Sequence, residues 1–265
     1  KEIMKVVILC GGKGTRIRGV DDGVPKPLIP IGKYPVLLHI MSTYAHYGHN
    51  EFILCLGYKG IAIKTYFLNY QSMISDFTLD YSNGGKVDFD NSNVEIDWEI
   101  THAETGIESL TGSRIKKIEK YIGKDETFLL TYGDGVSDID INQLISFHHD
   151  KARIMTVSGV RPPSRFGELN YDQNSIITEF NEKPQATEGR ISGGFFVCQR
   201  EIFNYLDSER EDQILETTPM QNIASDKQMV MYPHDGFWQC MDTYRDYKLL
   251  NELYENKAAP WVVWD

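Results

Sequence analysis

The chain has 265 residues, of which 41% are hydrophobic and 25% charged, a balance typical of a globular protein long enough to bury a sizeable core. Its 38 acidic and 27 basic residues give a net charge of -11. Such a surface repels polyanions, which argues against nucleic acid as a partner, although a local basic loop could still hold a small anion.

Short apolar runs alternate with helix-period segments, the pattern of βαβ units and a mainly parallel sheet. The predicted buried strands are 6–10, 52–56, 127–131, 154–160, 194–198 and 229–232. Between the first two strands, Val36, Leu37, Ile40, Met41 and Tyr44 recur at helical spacing behind Pro35, which suits a first helical turn.

Segment 76–101 departs from this pattern. Apolar residues at 94, 96, 98 and 100 alternate with polar ones, which predicts a half-exposed strand, and the Asn-Gly-Gly run at 83–85 offers a hairpin turn. The sequence predicts either a solvated antiparallel excursion or an arm through which subunits associate.

The four cysteines are scattered without paired spacing, which predicts free thiols in a reducing compartment. No run approaches the roughly 20 apolar residues that span a bilayer, and the opening apolar run is too short for a signal-peptide core. We therefore expect a cytoplasmic protein without membrane association.

The first predicted strand runs into GGKGTR at 11–16. A P-loop is excluded because Val20 and Asp21 stand where Lys and Ser or Thr are required, and a dinucleotide fingerprint is excluded because Ile17 replaces its third glycine. Glycines let successive backbone N–H groups converge on an anion, and Lys13 and Arg16 add charged donors. The stretch predicts either a phosphate-binding loop or an ordinary turn with solvated cations.

Further polar side chains follow later strands. Lys26 is carried on a loop stiffened by flanking prolines, and Asp134 follows a buried strand, where open α/β sheets bind ligands. Asp242 is either a partner carboxylate or the N-cap of a terminal helix. Two such carboxylates together could hold Mg²⁺. Glu182 and Lys183 suit a hydroxylated phosphate, or lie on an ordinary surface.

Taken in order, GGKGTR, PKPL, YGDG, EKP, SGGFF and WQCMDT resemble the motifs of the sugar-nucleotide pyrophosphorylases over essentially the whole chain. Within that family the chain is most similar to the glucose-1-phosphate cytidylyltransferase branch, on ETGIESLTGSR at 104–114, TYGDGVSD at 131–138, RPPSRFG at 161–167 and APWVVWD at 259–265. The resemblance implies a homo-oligomeric enzyme that uses CTP, a hexose 1-phosphate and Mg²⁺ to form a CDP-hexose and pyrophosphate. Glucose 1-phosphate is the expected sugar substrate, with another sugar phosphate or nucleotide, or a non-catalytic sensor, as alternatives.

The resemblance also implies the fold class and its division. We expect an α/β protein with a Rossmann-like, mostly parallel mixed sheet flanked by helices and a small antiparallel excursion. A single nucleotidyltransferase domain would span 1–265, with a nucleotide-binding part at about 4–135, a sugar-binding part at about 136–241 and a C-terminal helix at about 242–265.

The site residues are implied in the same way. The nucleotide would be contacted by Leu9, Gly11, Gly12, Lys13, Gly14, Thr15, Arg16, Lys26, Thr105, Arg114, Tyr132, Gly133 and Asp134. Of these, Lys13, Arg16 and Lys26 would be catalytic through their phosphate contacts, with Lys26 at the α-phosphate, while Arg114 would face the triphosphate. The sugar phosphate would be held by Gly167, Glu182, Lys183, Ser192, Gly193 and Gly194, and the metal by Asp134 and Asp242.

Two sites depart from the family pattern, and both concern the sugar. Ser192 stands where Asn commonly precedes the paired glycines, and Ser164 and Glu168 stand where Gly and Ala are usual. These differences leave the identity of the sugar more open than the reaction.

Overall fold

The computed structural model describes residues 3–13, 17, 23–90, 96–162, 168–171, 173, 175–181 and 189–264. Six of the predicted site residues lie outside this part of the chain: Gly14, Thr15, Arg16, Gly167, Glu182 and Lys183.

Strands and helices alternate along the chain, as the sequence predicts. The strands are β1 (Val6–Leu9), β2 (Pro30–Ile31), β3 (Tyr34–Pro35), β4 (Glu51–Leu56), β5 (Phe77–Asp80), β6 (Lys86–Phe89), β7 (Glu99–Glu104), β8 (Thr127–Tyr132), β9 (Gly135–Ser137), β10 (Met155–Val160), β11 (Glu168–Tyr171), β12 (Ile177–Asn181), β13 (Ile191–Gln199), β14 (Met229–His234) and β15 (Trp238–Cys240). The α-helices are α1 (Val36–His46), α2 (Gly60–Leu68), α3 (Tyr70–Ile74), α4 (Thr111–Lys117), α5 (Glu119–Ile122), α6 (Ile141–Lys151), α7 (Thr218–Ser225) and α8 (Tyr244–Glu255). Short 3₁₀ turns cover Lys26–Leu28, Tyr81–Asn83 and Arg200–Tyr205.

One large sheet organises the molecule, with strand order β14–β10–β13–β8–β1–β4–β7. Its neighbouring strands pair in parallel, except that β13 is antiparallel to both β8 and β10. The expected α/β class, a mostly parallel mixed sheet flanked by helices, is confirmed.

Strand β1, which lies between β8 and β4 inside the sheet, is buried on both faces, which explains why its sequence is a continuous apolar run. Val6 and Ile8 belong to the core cluster that includes the apolar side chains of α1, whereas Val7 and Leu9 belong to the opposite cluster, which includes those of α4 and α5. In the described part of the chain, helices therefore cover each face of the sheet, and ligands are expected at the carboxyl ends of its strands.

The segment at 76–101 divides between two structures. Strands β5 and β6 form the expected antiparallel hairpin, with Gly84 and Gly85 at positive φ in its turn. The expectation that the alternating strand belongs to this excursion is wrong, because Glu99–Glu104 is β7, which pairs in parallel with β4 at the edge of the large sheet. Of the alternating run, residues 94 and 95 lie outside the described part of the chain and the strand begins only at Glu99. Periodicity within one strand does not identify the strand with which it pairs.

The C-terminal helix occupies only part of the predicted segment 242–265. Its N-cap is Thr243 rather than Asp242, because the Thr243 hydroxyl accepts from the Asp246 amide and the Asp246 carboxylate accepts from the Thr243 amide. Asp242 therefore does not cap the helix, and its carboxylate contacts Lys26 instead. Beyond α8, Trp261 is fully buried and its indole donates to His39.

All four cysteines lie in the described part of the chain and are free thiols, as expected. Among the helices that the structure describes, none has the length and apolar character required to cross a membrane.

A buried histidine links α6 to the sheet. His148 is fully buried, with Nδ1 at 2.8 Å from the Thr156 hydroxyl and Nε2 at 3.0 Å from the amide nitrogen of Gln199. Because the Gln199 amide is a donor, His148 Nε2 must accept, so the ring is neutral. Burial lowers the pKa of His148 from its ordinary value of 6.5 to about 4.

This lowered pKa predicts acid destabilisation of the fold. As pH falls below 6.5 the unfolded chain protonates this group while the folded protein does not, so its contribution to stability is complete above that pH and is lost towards pH 4. Between pH 7 and pH 5 it should reduce the free energy of unfolding by about 1–2 kcal/mol. Urea denaturation of His148→Gln should show a flatter pH dependence than the wild type, whereas the variant of its exposed neighbour, His149→Gln, should not.

Candidate active site

A cavity of about 210 Å³ opens at the carboxyl ends of the adjacent parallel strands β1 and β8. Most of the predicted nucleotide-binding residues in the described chain line it. They are Leu9, Gly11, Gly12, Lys26, Arg114, Tyr132, Gly133 and Asp134, joined by Cys10, Pro27, Ser109, Leu110 and Thr111.

The turn after β1 is held against the ends of neighbouring strands. The Tyr58 amide donates to the Gly11 carbonyl at 3.1 Å, and the Gly133 amide donates to the Leu9 carbonyl at 3.1 Å. A Cβ on Gly133 would lie 3.0 Å from that carbonyl oxygen, so a side chain there would separate the two strand ends. The glycines bring the backbone close enough to form the cavity floor.

Arg114 lines the cavity at the carboxyl ends of the strands and is buried, with 3% of its surface exposed. Nη2 donates to the Gly11 carbonyl at 2.7 Å, while Nη1 donates to the Leu56 carbonyl at 3.1 Å and to the Gly106 carbonyl at 2.7 Å. Burial lowers the pKa of Arg114, although an arginine side chain stays charged at neutral pH. The guanidinium thus joins the glycine turn, the end of β4 and the segment after β7.

Thr105 is also part of the hydrogen-bond network around Arg114. Its hydroxyl donates to the Leu56 carbonyl at 2.7 Å and accepts from Arg114 Nη1 at 2.8 Å, and the residue is buried. The side chain therefore shapes the wall of the cavity from behind. Direct contact of Thr105 or Arg114 with a nucleotide stays a prediction.

Gly57 belongs to the same arrangement and was missed in the sequence. A Cβ at this position would lie 2.6 Å from Arg114 Nη2, inside van der Waals contact. The only available signal was a glycine directly after a buried strand, which also occurs at ordinary turns.

The segment 207–217 packs against residues 109–117 on the outer side of this network, through contacts that the sequence did not predict. The Leu110 amide donates to the Glu211 carbonyl at 3.0 Å, and the Gly112 amide donates to the Gln213 carbonyl at 2.9 Å. Lys117 Nζ donates to Glu211 Oε1 at 2.6 Å and to Ser109 Oγ at 2.9 Å. Glu211 and Gln213 lie about a hundred residues from Leu110, Gly112 and Lys117 in sequence, so local patterns gave no indication of these contacts.

Two of the predicted phosphate-binding cations are paired with carboxylates of the chain itself, and of the two only Lys26 lines the cavity. Lys13, on the exposed side, has Nζ at 2.9 and 2.8 Å from the two carboxylate oxygens of Glu108. Lys26 Nζ lies 2.6 Å from Asp134 Oδ2 and also contacts Asp242 Oδ1. Burial by itself would lower the pKa of Lys26, but attraction to Asp134 and Asp242 outweighs it and raises the pKa above its ordinary value.

Strand pairing explains how Asp134 and Asp242 meet. Strand β15 runs antiparallel to β9 with Cys240 opposite Gly135, and the Met241 amide donates to the Asp134 carbonyl at 2.8 Å. The two predicted metal carboxylates are therefore adjacent at the mouth of the cavity. Their oxygens converge on one ammonium, a donor set that fits a hard divalent cation completing its shell with water or phosphate oxygens.

A cluster of three or more metal-ligating side chains is absent from the described residues. Two carboxylates accord with the way Mg²⁺ is usually bound, through one or two protein carboxylates plus substrate phosphates.

The predicted sugar-side glycines sit beside Tyr132. Gly194 has a φ of +78°, and a Cβ there would lie 2.5 Å from a ring carbon of Tyr132. A Cβ on Gly193 would lie 2.6 Å from both Ser158 Oγ and Val160 Cγ1, and the indole of Trp238 donates to the Gly193 carbonyl at 2.7 Å. Ser192 is exposed at the start of β13, next to this corner.

Comparison with known proteins accords with this geometry. The family model described as nucleotidyl transferase matches residues 5–257. The chain belongs to the nucleotidyl transferase family. This confirms the resemblance seen in its motifs and the expectation of an enzyme.

Two curated relatives match nearly the whole of this nucleotidyltransferase. It is 44% identical over 261 residues to a probable glucose-1-phosphate cytidylyltransferase of Bacillus subtilis, covering 98% of this chain and 100% of the relative. It is 40% identical over 262 residues to the glucose-1-phosphate cytidylyltransferase of Salmonella typhi, covering 99% and 100%.

Solved structures show the same fold at lower identity. The crystal structure of an apo UDP-glucose pyrophosphorylase has a TM-score of 0.68 at 17% identity, covering 97% of this chain and 99% of that one. The crystal structure of HddC from Yersinia pseudotuberculosis with GMP-PN has a TM-score of 0.63 at 24% identity, covering 95% and 100%.

The Arg114 network predicts the effect of adding one methyl group to this nucleotidyltransferase. Gly57→Ala should displace the guanidinium and destabilise the protein by about 1–3 kcal/mol through overpacking. It should also raise the KM for the nucleotide, because the glycine turn loses the Arg114 hydrogen bond to the Gly11 carbonyl and keeps only the one from the Tyr58 amide. Urea denaturation and initial-rate kinetics measure both effects.

Gly135→Ala is the matched control for stability, because a Cβ there meets no atom within 4 Å. Its free energy of unfolding should stay within about 0.5 kcal/mol of the wild type. Equal stability of the two variants would contradict the packing role of Arg114.

Proposed function

We propose that this nucleotidyltransferase transfers the cytidylyl group of CTP to α-D-glucose 1-phosphate, forming CDP-glucose and pyrophosphate. The specific substrates are supported by the names of the two relatives at 44% and 40% identity. The observation that carries the proposal within the molecule is the meeting of Lys26, Asp134 and Asp242 beside the glycine turn.

The proposed reaction requires no general base. A phosphate oxygen of the sugar 1-phosphate is the nucleophile, and it is mostly dianionic near neutral pH because the second phosphate pKa is about 6. It forms a new bond to the α-phosphorus of CTP, while the bond from that phosphorus to the bridging oxygen of the β-phosphate breaks and pyrophosphate leaves with the electron pair. The main obstacle is the approach of one anion to another.

The cations of the chain would reduce this repulsion between the two anions. Lys13 and Arg16 would hold the nucleotide phosphates above the backbone amides of the glycine turn at Gly11, Gly12 and Gly14. Lys26, whose backbone is fixed by its flanking prolines, would contact the α-phosphate and align an in-line displacement. Asp134 and Asp242 would orient a divalent ion, for which we propose Mg²⁺. When bound, this ion would supply positive charge to the triphosphate and the leaving pyrophosphate.

The sugar side would complete the site. We propose that Glu182 and Lys183 bind a sugar hydroxyl and the sugar phosphate, and that Gly167, Ser192, Gly193 and Gly194 leave space for the ring. In this division, about 4–135 serves the nucleotide and about 136–241 the sugar. Another sugar 1-phosphate or nucleotide is the nearest alternative, because Ser192 and Glu168 depart from the family pattern.

A non-catalytic sugar-nucleotide sensor on the same fold is the alternative from a different class. Such a protein would have no need to retain both carboxylates and the lysine between them. Their convergence in this chain favours catalysis.

We also propose a cytoplasmic location and a homo-oligomeric state. The free cysteines support a reducing compartment. For oligomerisation, the observation is an arm formed by α2, α3 and the β5–β6 hairpin, on which Ile61, Leu68 and Tyr81 are 72%, 84% and 82% exposed. Apolar exposure of this extent on one segment suits a surface covered by a second copy of the chain.

The reaction is tested by pyrophosphate release with Mg²⁺, crossing CTP, UTP, dTTP, GTP and ATP against a panel of sugar 1-phosphates. We expect release with CTP and glucose 1-phosphate. The double variant Asp134→Asn/Asp242→Asn, purified in parallel, should release none and controls for contaminating activity. Pyrophosphate release with CTP and only a different sugar 1-phosphate would support the proposed reaction but change the identity of the sugar substrate. No release with any combination would favour the sensor.

The oligomeric state is tested by light scattering after size-exclusion chromatography. We expect a mass larger than one chain, and a shift towards the monomer in Leu68→Glu, which places a charge on the arm. Leu249→Glu, at a 40% exposed leucine of α8 outside the arm, should leave the mass unchanged. A monomeric wild-type protein at micromolar concentration would refute the assembly.

A further inference from the structure

The ammonium group of Lys26 occupies the point on which the two metal-type carboxylates converge. Its Nζ lies 2.6 Å from Asp134 Oδ2 and contacts Asp242 Oδ1. A Mg²⁺ ion bound to the same two oxygens at about 2.1 Å would have to take that position. We propose that Lys26 is an internal competitor of the metal, which holds both carboxylates in the ligand-free enzyme and releases them only when metal and nucleotide arrive together. The inference rests on the proposed function.

The loop around Lys26 keeps the competitor in place. Pro25 and Pro27 are both buried, the Leu28 amide donates to the Pro25 carbonyl at 2.8 Å, and the Ile29 amide donates to the Lys26 carbonyl at 3.1 Å. The Lys26 side chain is only 13% exposed. Its backbone is therefore fixed, and the ammonium moves by rotation of its four-carbon stem. That rotation carries it from the carboxylates into the adjacent cavity, where the phosphates would lie.

Charge balance makes the exchange depend on the nucleotide. The Lys26 ammonium compensates half of the charge of the two carboxylates and leaves a single net negative charge. A divalent ion entering alone would sit beside the displaced ammonium, and the two cations would repel each other. Nucleotide phosphates remove this repulsion, because they accept both the metal and Lys26. Free metal should thus bind weakly, and metal and nucleotide should strengthen each other's binding.

The cavity provides a matched comparison. Lys13 is also a predicted phosphate-binding cation, but its ammonium is paired with Glu108 rather than with Asp134 or Asp242. Substituting either lysine by methionine removes one positive charge and keeps the chain length similar. A difference between the two variants therefore reports contact with the carboxylates rather than the general potential of the cleft.

The test is the affinity for Mn²⁺, measured by electron paramagnetic resonance without nucleotide or sugar phosphate. Lys26→Met should bind Mn²⁺ at least about fivefold more tightly than the wild type, the low end of coupling between linked sites, whereas Lys13→Met should change little. Adding Asp134→Asn to Lys26→Met should abolish the gain, which assigns it to this site. CTP should then increase the Mn²⁺ affinity of the wild type by a larger factor than that of Lys26→Met.

Circular dichroism and a thermal melt verify that each variant is folded, and Lys26→Gln replaces Lys26→Met if the latter is not. Unchanged Mn²⁺ affinity in a folded Lys26 variant would overturn the proposal, as would an equal gain in Lys13→Met. These measurements are independent of the reaction. A gain in Mn²⁺ affinity without pyrophosphate release from CTP would refute the proposed function alone, and release without the gain would refute the competition alone.

Discussion

The active-site edge depends on one buried guanidinium. Buried backbone carbonyls need hydrogen-bond donors, and each oxygen can accept more than one. Arg114 supplies a donor to the carbonyls of Gly11, Leu56 and Gly106 from a single side chain, because its donors project in a planar fork. The Gly11 carbonyl also accepts from the Tyr58 amide, and the Leu56 carbonyl from Thr105. Three separate chain segments are thereby fixed around one cavity. The requirement for glycine at 11 and 57 follows from the space that the guanidinium takes.

The second constraint is charge. An acidic protein with a net charge of -11 leaves neither lysine uncompensated, because Lys13 is paired with Glu108 and Lys26 with Asp134 and Asp242. The two aspartates offset the cost of burying Lys26, whereas the Lys13–Glu108 pair is exposed to solvent and contributes little to stability. An incoming polyphosphate would exchange carboxylate partners for phosphate partners, so ligand binding requires little rearrangement of the backbone.

The sequence allowed the prediction of features that depend on local pattern. Continuous apolar runs located β1, β4 and β8, and helical spacing located α1, since burial on two faces or on one helical stripe is visible in residue order. The pairing of β7 with β4 was missed, because the residue pattern of one strand does not encode which strand it pairs with. Asp242 was ambiguous until the Thr243 cap was seen. Glu211, Lys117 and Gly57 act through contacts between distant segments, which no local spacing encodes.

The single antiparallel strand of the large sheet explains why the two halves of the site meet. Because β13 runs against its neighbours, its amino end lies at the edge where the parallel strands have their carboxyl ends. Gly194 is thus placed against Tyr132 at the end of β8, and Gly193 against Ser158 and Val160 of β10. The Tyr132 hydroxyl donates to Glu216, whose carboxylate also accepts from Thr111 at 2.7 Å. One tyrosine therefore forms a wall shared by the predicted nucleotide and sugar pockets, so its position constrains both.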